Sequence, residues 1–181
     1  MSEPLIRRGR PADAERITAI WHAGINLAAE IEAAAAEEPV SYFRTRLQDM
    51  PDGFGFWVLE VSGRVVGWHS LLPFYPSPLE WRYLAISSAY LERRCGVPDA
   101  GYQLVSASVE EARRAGVAQL FAFVSEKNRA SIRLVKRVGW RQCGTIPGRF
   151  RGPVRMELQL FALTFRDQEG SLEGYGLEQE R

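Results

Sequence analysis

Residues 84–140 read LAISSAYLERRCGVPDAGYQLVSASVEEARRAGVAQLFAFVSEKNRASIRLVKRVGW, and the rest of the chain is built around them. Tyr83–Leu91 is rich in strand formers, and Gly96–Gly101 reads as a turn. Tyr102–Ala115 is an amphipathic helix that Gly116 ends, Val117–Val124 is a short apolar strand, and Asn128–Val138 is a second helix stopped by Gly139-Trp140. Strand, helix, strand, helix in that order predicts two parallel neighbouring strands joined by a right-handed crossover. A turn that leads into a helix N-terminus also favours an anion, because free backbone N–H groups and the helix dipole point at it.

Towards the N-terminus, Gly55–Val61 and Arg64–Pro73 flank Ser62-Gly63, which predicts an antiparallel hairpin. Leu5–Arg8 is a short strand. Asp13 is placed to cap a helix on which Ile17, Ile20, Trp21 and Gly24 share one face. Leu27–Glu38 is alanine-rich and reads as helical; Pro39 is expected to break it, with Ser41 capping a second short helix. Pro73 to Pro78 forms a proline-aromatic loop. Towards the C-terminus, Arg141–Ile146 is a strand, Pro147–Pro153 a loop and Arg155–Thr164 the closing strand. An antiparallel hairpin beside a parallel βαβ unit means an α+β, or mixed α/β, fold. One domain over 1–164 is expected, followed by an acidic, glycine-bearing tail over 165–181 that is read as mobile.

The chain has 181 residues and a formal net charge of +1, so no global field draws it to nucleic acid or to an anionic membrane. Two cysteines, Cys95 and Cys143, are too few for a zinc ribbon and unnecessary as a disulfide at this size, so no metal is expected. Free thiols, no apolar leader in Met1–Arg10 and no membrane-length apolar run point to the cytoplasm.

Asn128-Arg129-Ala130-Ser131-Ile132-Arg133-Leu134, continued by Lys136-Arg137-Val138-Gly139-Trp140, resembles the Asn-x-Ala-Ser-Ile-x-Leu helix of the GNAT superfamily of N-acetyltransferases, in its phosphinothricin-acetyltransferase-like branch. Ile6-Arg7-Arg8 through Asp13 to Ile20, and Ser88-Ala89-Tyr90-Leu91, match that branch as well, so the likeness spans roughly residues 5–161. The resemblance implies acetyl-coenzyme A held in a wedge between splayed strands, here Tyr83–Leu91 and Val117–Val124, with its pyrophosphate on the turn before the long helix. The implied cofactor positions are Leu91, Arg93, Arg94, Gly96, Ala100, Gly101, Asn128 and Ser131. Asn128 also reads as a helix cap, a role compatible with cofactor contact. The branch often pairs as a homodimer, for which the apolar Trp81–Tyr90 region is the expected contribution.

The departures from the pattern are specific. The family turn reads Gln/Arg-x-x-Gly-x-Gly/Ala, and in a gapless alignment only Gly101 keeps its place. Asp99 occupies a family glycine, which sets a carboxylate where a pyrophosphate would lie, and Pro98 removes an N–H donor. A shifted alignment uses Arg94 and Gly96 as a displaced turn. The branch's general-base glutamate is replaced by Ile86, and the presumed acid of the second helix by Val135. His69, Glu80 and Glu126 are the remaining candidates for proton transfer, beside a water relay. Phe74 and Tyr75 are the expected pocket walls, while Trp57, Trp68 and Trp81 read mostly as core. Arg133 and Arg137 read as solvent-exposed helix charges. The function so implied is transfer of the acetyl group of acetyl-coenzyme A to a primary amine of a small molecule by direct attack, a backbone N–H near Leu91–Arg93 meeting the oxyanion. The alternative is a catalytically degenerate protein of the same fold that binds an acyl-coenzyme A or metabolite as a sensor or structural subunit.

Overall fold

A computed structural model describes residues 3–24, 38–48, 50–74, 83–149 and 155–165. In chain order these form β1 (Leu5–Arg8), α1 (Ala14–Gly24), α2 (Glu38–Arg46), β2 (Gly55–Val61), β3 (Arg64–Pro73), β4 (Leu84–Leu91), α3 (Ala100–Arg114), β5 (Gln119–Ser125), α4 (Arg129–Val138), β6 (Arg141–Arg149) and β7 (Arg155–Thr164). The strands make one seven-stranded sheet in the order β1-β2-β3-β4-β5-β7-β6. Every neighbouring pair is antiparallel except β4 and β5, which the helix-length crossover through α3 makes parallel. This is the mixed α/β architecture that the sequence predicts.

Period-two alternation sends successive side chains of the strands to opposite faces, and each face has its own helices. Trp57, Leu59, Leu71, Ala85, Leu120, Val124 and Phe161 pack against Leu104, Val105, Val109 and Ala112 of α3 and Val135 of α4. On the other face Phe56, Val58, Val65 and Trp68 meet Ile17 and Ile20 of α1 and Phe43 of α2. The β2–β3 hairpin turns at Ser62 and Gly63 with φ of +49° and +77°, the left-handed pair that a two-residue hairpin link requires.

Three local expectations are corrected. Pro39 lies in the first turn of α2, which begins at Glu38, where its missing N–H has no intrahelical partner to lose, so Ser41 is inside the helix rather than capping it. The side chain of Asp13 does not cap α1: a 3-10 turn, Pro11–Asp13, precedes the helix. The carboxylate accepts instead from Arg10 N at 2.8 Å and from Arg7 Nη1 at 2.8 Å and Nη2 at 3.0 Å. Strand β6 runs on through Pro147 to Arg149; as the outermost strand it tolerates a proline without losing a ladder on both sides. The alanine-rich 27–37, Tyr75, Glu80, Trp81 and the tail 166–181 lie outside the described residues.

Candidate active site

Strands β4 and β5 pair at three positions only, Leu84 with Gln119, Ala85 with Leu120 and Ile86 with Phe121. Beyond them β4 stays paired with β3 as far as Leu91, and β5 with β7 as far as Ser125. The sheet therefore splits between its third and fourth rungs into a wedge with two well-held walls. The Glu92 N–H donates to Val66 O at 2.9 Å and the Phe74 N–H to Leu84 O at 3.0 Å, so the even-numbered residues of β4 face β3. Ala89 and Leu91 then turn their N–H and C=O groups into the wedge. Of the expected oxyanion donors, Glu92 is thus committed to the sheet, whereas the Leu91 N–H turns into the wedge. The far end of β4 is tied down by the Glu92 carboxylate, which accepts from Arg16 and, at 2.6 Å, from Arg64 Nη2.

The wedge points at the start of α3. Asp99, the residue before the helix, is left-handed at φ +52°, as is Gly96 at φ +73°. Asp99 makes no side-chain cap hydrogen bond to its own helix. Its carboxylate instead forms a two-pronged pair with Arg137 of α4, Nη1 to Oδ1 at 2.7 Å and Nη2 to Oδ2 at 3.1 Å. That guanidinium also lies 4.1 Å over the ring of Tyr102. The Arg137 contact holds the Asp99 carboxyl below the ordinary carboxylate range. The charge that Asp99 places on the turn is thus paired, and the first-turn N–H groups of α3 are left uncapped by it. Arg137 is solvent-exposed as expected, but not free. Gly101 sits where β4, α3 and α4 converge; a Cβ there would meet Leu91 Cδ1 at 3.1 Å and Leu134 Cδ2 at 3.2 Å. Ala100 is buried at the head of the helix, whereas Arg93 and Arg94 are exposed in the preceding turn.

Asn128 closes the other wall. Its Oδ1 accepts from Ser131 N at 3.1 Å, which caps α4. The two remaining described candidates for proton transfer sit apart. The half-buried Glu126 follows β5 and donates its N–H to Glu157 O at 3.1 Å. His69 is fully buried under α3, with Nδ1 2.5 Å from Ser108 Oγ and Nε2 2.8 Å from Ser87 Oγ. Ser108 Oγ also lies 2.9 Å from Leu104 O and 3.0 Å from Val105 O, and carbonyls only accept. Every group is satisfied when Ser108 donates to those carbonyls, His69 Nδ1–H donates to Ser108, and Ser87 O–H donates to Nε2. Both ring nitrogens are then spent, and burial holds the ring's pKa down at about 3.

Ile86 and Val135 place no proton-transfer group in the wedge; Val135 is 8% exposed and belongs to the core. On the α1 face, Phe74 follows β3 37% exposed, with its ring 4.9 Å from Phe121. The Tyr90 ring stacks 4.7 Å from Trp68. Ser87, Ser108, Phe121 and the Asp99–Arg137 pair escaped the sequence reading. Alternation along β4 does put Ser87 on the same face as His69, but no local signal links Asp99 to a residue one helix further on.

A family model described as the acetyltransferase (GNAT) family matches residues 21–140, the span that contains both wedge strands, the α3 turn and the Asn128 helix. The chain belongs to the GNAT acetyltransferase family. Among its GNAT relatives is YwnH of Bacillus subtilis (strain 168), provisionally named a phosphinothricin acetyltransferase. It is 26% identical over 147 residues, which cover 79% of this chain and 87% of that one. A ribosomal-protein-alanine N-acetyltransferase from Brucella melitensis is 30% identical with a TM-score of 0.74, covering 89% of this chain and 99% of its own. YncA from Salmonella typhimurium, solved with its cofactor acetyl-CoA, is 26% identical with a TM-score of 0.75, covering 90% and 94%. The GNAT assignment accounts for the split sheet, which an ordinary βαβ unit would have kept paired.

Proposed function

We propose that this GNAT protein is a single catalytic domain over 1–164 that transfers the acetyl group of acetyl-coenzyme A to a primary amine of a small molecule. The observation that carries the reading is the wedge: β4 and β5 part after Ile86 and Phe121, and the gap runs to an α3 N-terminus whose own cap side chain is turned away to Arg137. An extended amide-bearing arm pairs with the main chain of Ala89 and Leu91 as a strand would, and a pyrophosphate accepts from the first-turn N–H groups of α3. Arg93 and Arg94 lie in the turn that such a phosphate approaches. Asn128 follows the β5 wall, and with its Oδ1 committed to Ser131 its amide NH2 is the group left to donate to the same arm. The binding of acetyl-CoA by the Salmonella relative supports this use of the fold.

The amine nitrogen attacks the thioester carbon, the oxyanion accepts from the Leu91 N–H, and the C–S bond breaks to release the thiolate. With no proton-transfer side chain at Ile86 or Val135, the amine proton leaves through water, with Glu126 as the described carboxylate at the end of the β5 wall. Positioning of donor and acceptor therefore supplies most of the rate. The sensor reading draws on the same two residues, and turnover separates it from the enzyme. Acetyl-CoA is mixed with a panel of small primary amines, and free thiol is followed. Release that needs both protein and amine supports the enzyme. Tight coenzyme A binding with no release across the panel replaces it with the sensor, and no binding at all removes both.

A further inference from the structure

Away from the wedge, at the end of β1 and the start of β2, Arg8 and Arg46 converge on one cavity of about 190 Å3. Gly9, Leu47, Met50, Gly55 and Phe56 complete its walls. The Arg8 guanidinium is held flat, 4.4 Å over the ring of Trp57. Its Nη1 is buried and makes no hydrogen bond. The carboxylate nearest that nitrogen, Glu111 Oε1, stands off at 3.5 Å, and Glu111 Oε2 is taken by Trp57 Nε1 at 2.6 Å. Gly55, at φ +118°, keeps the other edge of the guanidinium clear; a Cβ there would sit 3.5 Å from Arg8 Nη2. Arg46 arrives from α2 with its guanidinium 3.7 Å over the ring of Tyr42, and it forms no salt bridge among the described residues.

Two features of this cavity call for an acceptor. The Arg8 Nη1–H is buried without a hydrogen bond, and the Glu111 carboxylate at 3.5 Å offsets only part of the desolvation penalty of that group. Two guanidinium groups on one small cavity also repel each other, and a single carboxylate at the back, already bonded to Trp57, offsets only part of that. Water satisfies the orphan donor but leaves the charge. An oxyanion does both, and a planar guanidinium fork matches its geometry. At ~30 Å3 per water molecule, the cavity has room for several waters or one small acid. We propose that the Arg8–Arg46 cavity is a binding site for a small oxyanion, a carboxylate or a phosphate, independent of the acyl-transfer wedge.

The test follows thermal unfolding of the full-length protein against sodium acetate and sodium phosphate at constant ionic strength. At least one of the two is expected to give a saturable rise, about 3–6 °C at ten times its Kd. Which one saturates tells carboxylate from phosphate. The rise is lost in Arg46→Gln, a half-buried position where folding is little disturbed, and in Arg8→Gln where that variant folds. It persists in excess coenzyme A, which competes only at the wedge. Three results overturn the proposal: a non-saturating rise equal in parent and variants, a saturable rise that survives Arg46→Gln, or one that coenzyme A abolishes.

Discussion

The buried ring of His69 ties the stability of the fold to pH. Its pKa is held at about 3 in the folded chain, against 6.5 for the exposed ring. The unfolded chain therefore binds a proton between these values while the folded chain does not. Stability is full above pH 6.5 and falls as the pH drops towards 3, by about 1.4 kcal/mol per unit. Asp13 and Glu110, both held below the ordinary carboxylate range, begin to lose their contributions only as the pH falls into that range, below about pH 5. Urea unfolding at pH 6.5 and pH 5.0 isolates the histidine: a loss of about 1.5–2 kcal/mol is expected in the parent, and little of it in His69→Gln. A parent that is flat over this interval contradicts a neutral, buried His69. Asp99 carries the second residue-scale prediction. Because Arg137 pairs with it, Asp99→Gly both removes a negative charge and releases a positive one beside the α3 N-terminus, at a left-handed position that glycine favours. Coenzyme A affinity should rise by roughly threefold to tenfold, and Arg137→Ala should lower it by a similar factor. In the double variant the Arg137 effect shrinks if it acts by shielding Asp99; calorimetry on all four proteins decides.

At the scale of elements, most of the chain was legible because its signals are local. The Ser62-Gly63 hairpin, the Asn128 cap and the period-two strands each depend on residues within a few positions of one another. The wedge was legible only through likeness to a family, since no periodicity tells a strand where its partner will leave it. The failures share the opposite property. Asp99 meets Arg137 and His69 meets Ser108, each 38 or 39 positions away, so only packing of α3 and α4 on the sheet brings them together. Ser41 is not a cap because Pro39, a residue that stops a helix from within, is accepted in the first turn of α2. The register of β4 makes its own prediction. Even-numbered residues bond to β3, while Ala89 and Leu91 face the gap. Amide exchange should therefore alternate, with Ala89 and Leu91 exchanging faster than Ser88 and Tyr90. Saturating coenzyme A should slow the odd pair by roughly tenfold or more and hardly touch the even one. Equal protection along β4 without ligand would mean that the gap is closed.

For the whole molecule, the question is which part of the chain the sheet needs. The seven strands end with β7, which bridges β5 to the outermost β6, and the ladder closes at the Phe165 N–H, donated to Ala118 O at 3.0 Å. The Phe165 side chain packs against the core on the α3 face. The residues that follow, 166–181, are polar and acidic, with Tyr175 their one aromatic. Two truncations separate these roles. A chain ending at Phe165 should melt within about 1–2 °C of the parent, because a polar segment buries little apolar surface. A chain ending at Leu163 loses a ladder bond and a half-buried aromatic, about 1–3 kcal/mol together, and should melt roughly 3–10 °C lower. Coenzyme A tells whether the shorter chains keep the site. At a hundred times Kd it stabilises by about 2.7 kcal/mol, a rise of roughly 5–10 °C, and the chain ending at Phe165 should show the full rise. A truncation at Phe165 that melts far below the parent, or that binds coenzyme A many-fold more weakly, would place 166–181 within the folded unit and move the boundary of the domain past residue 164.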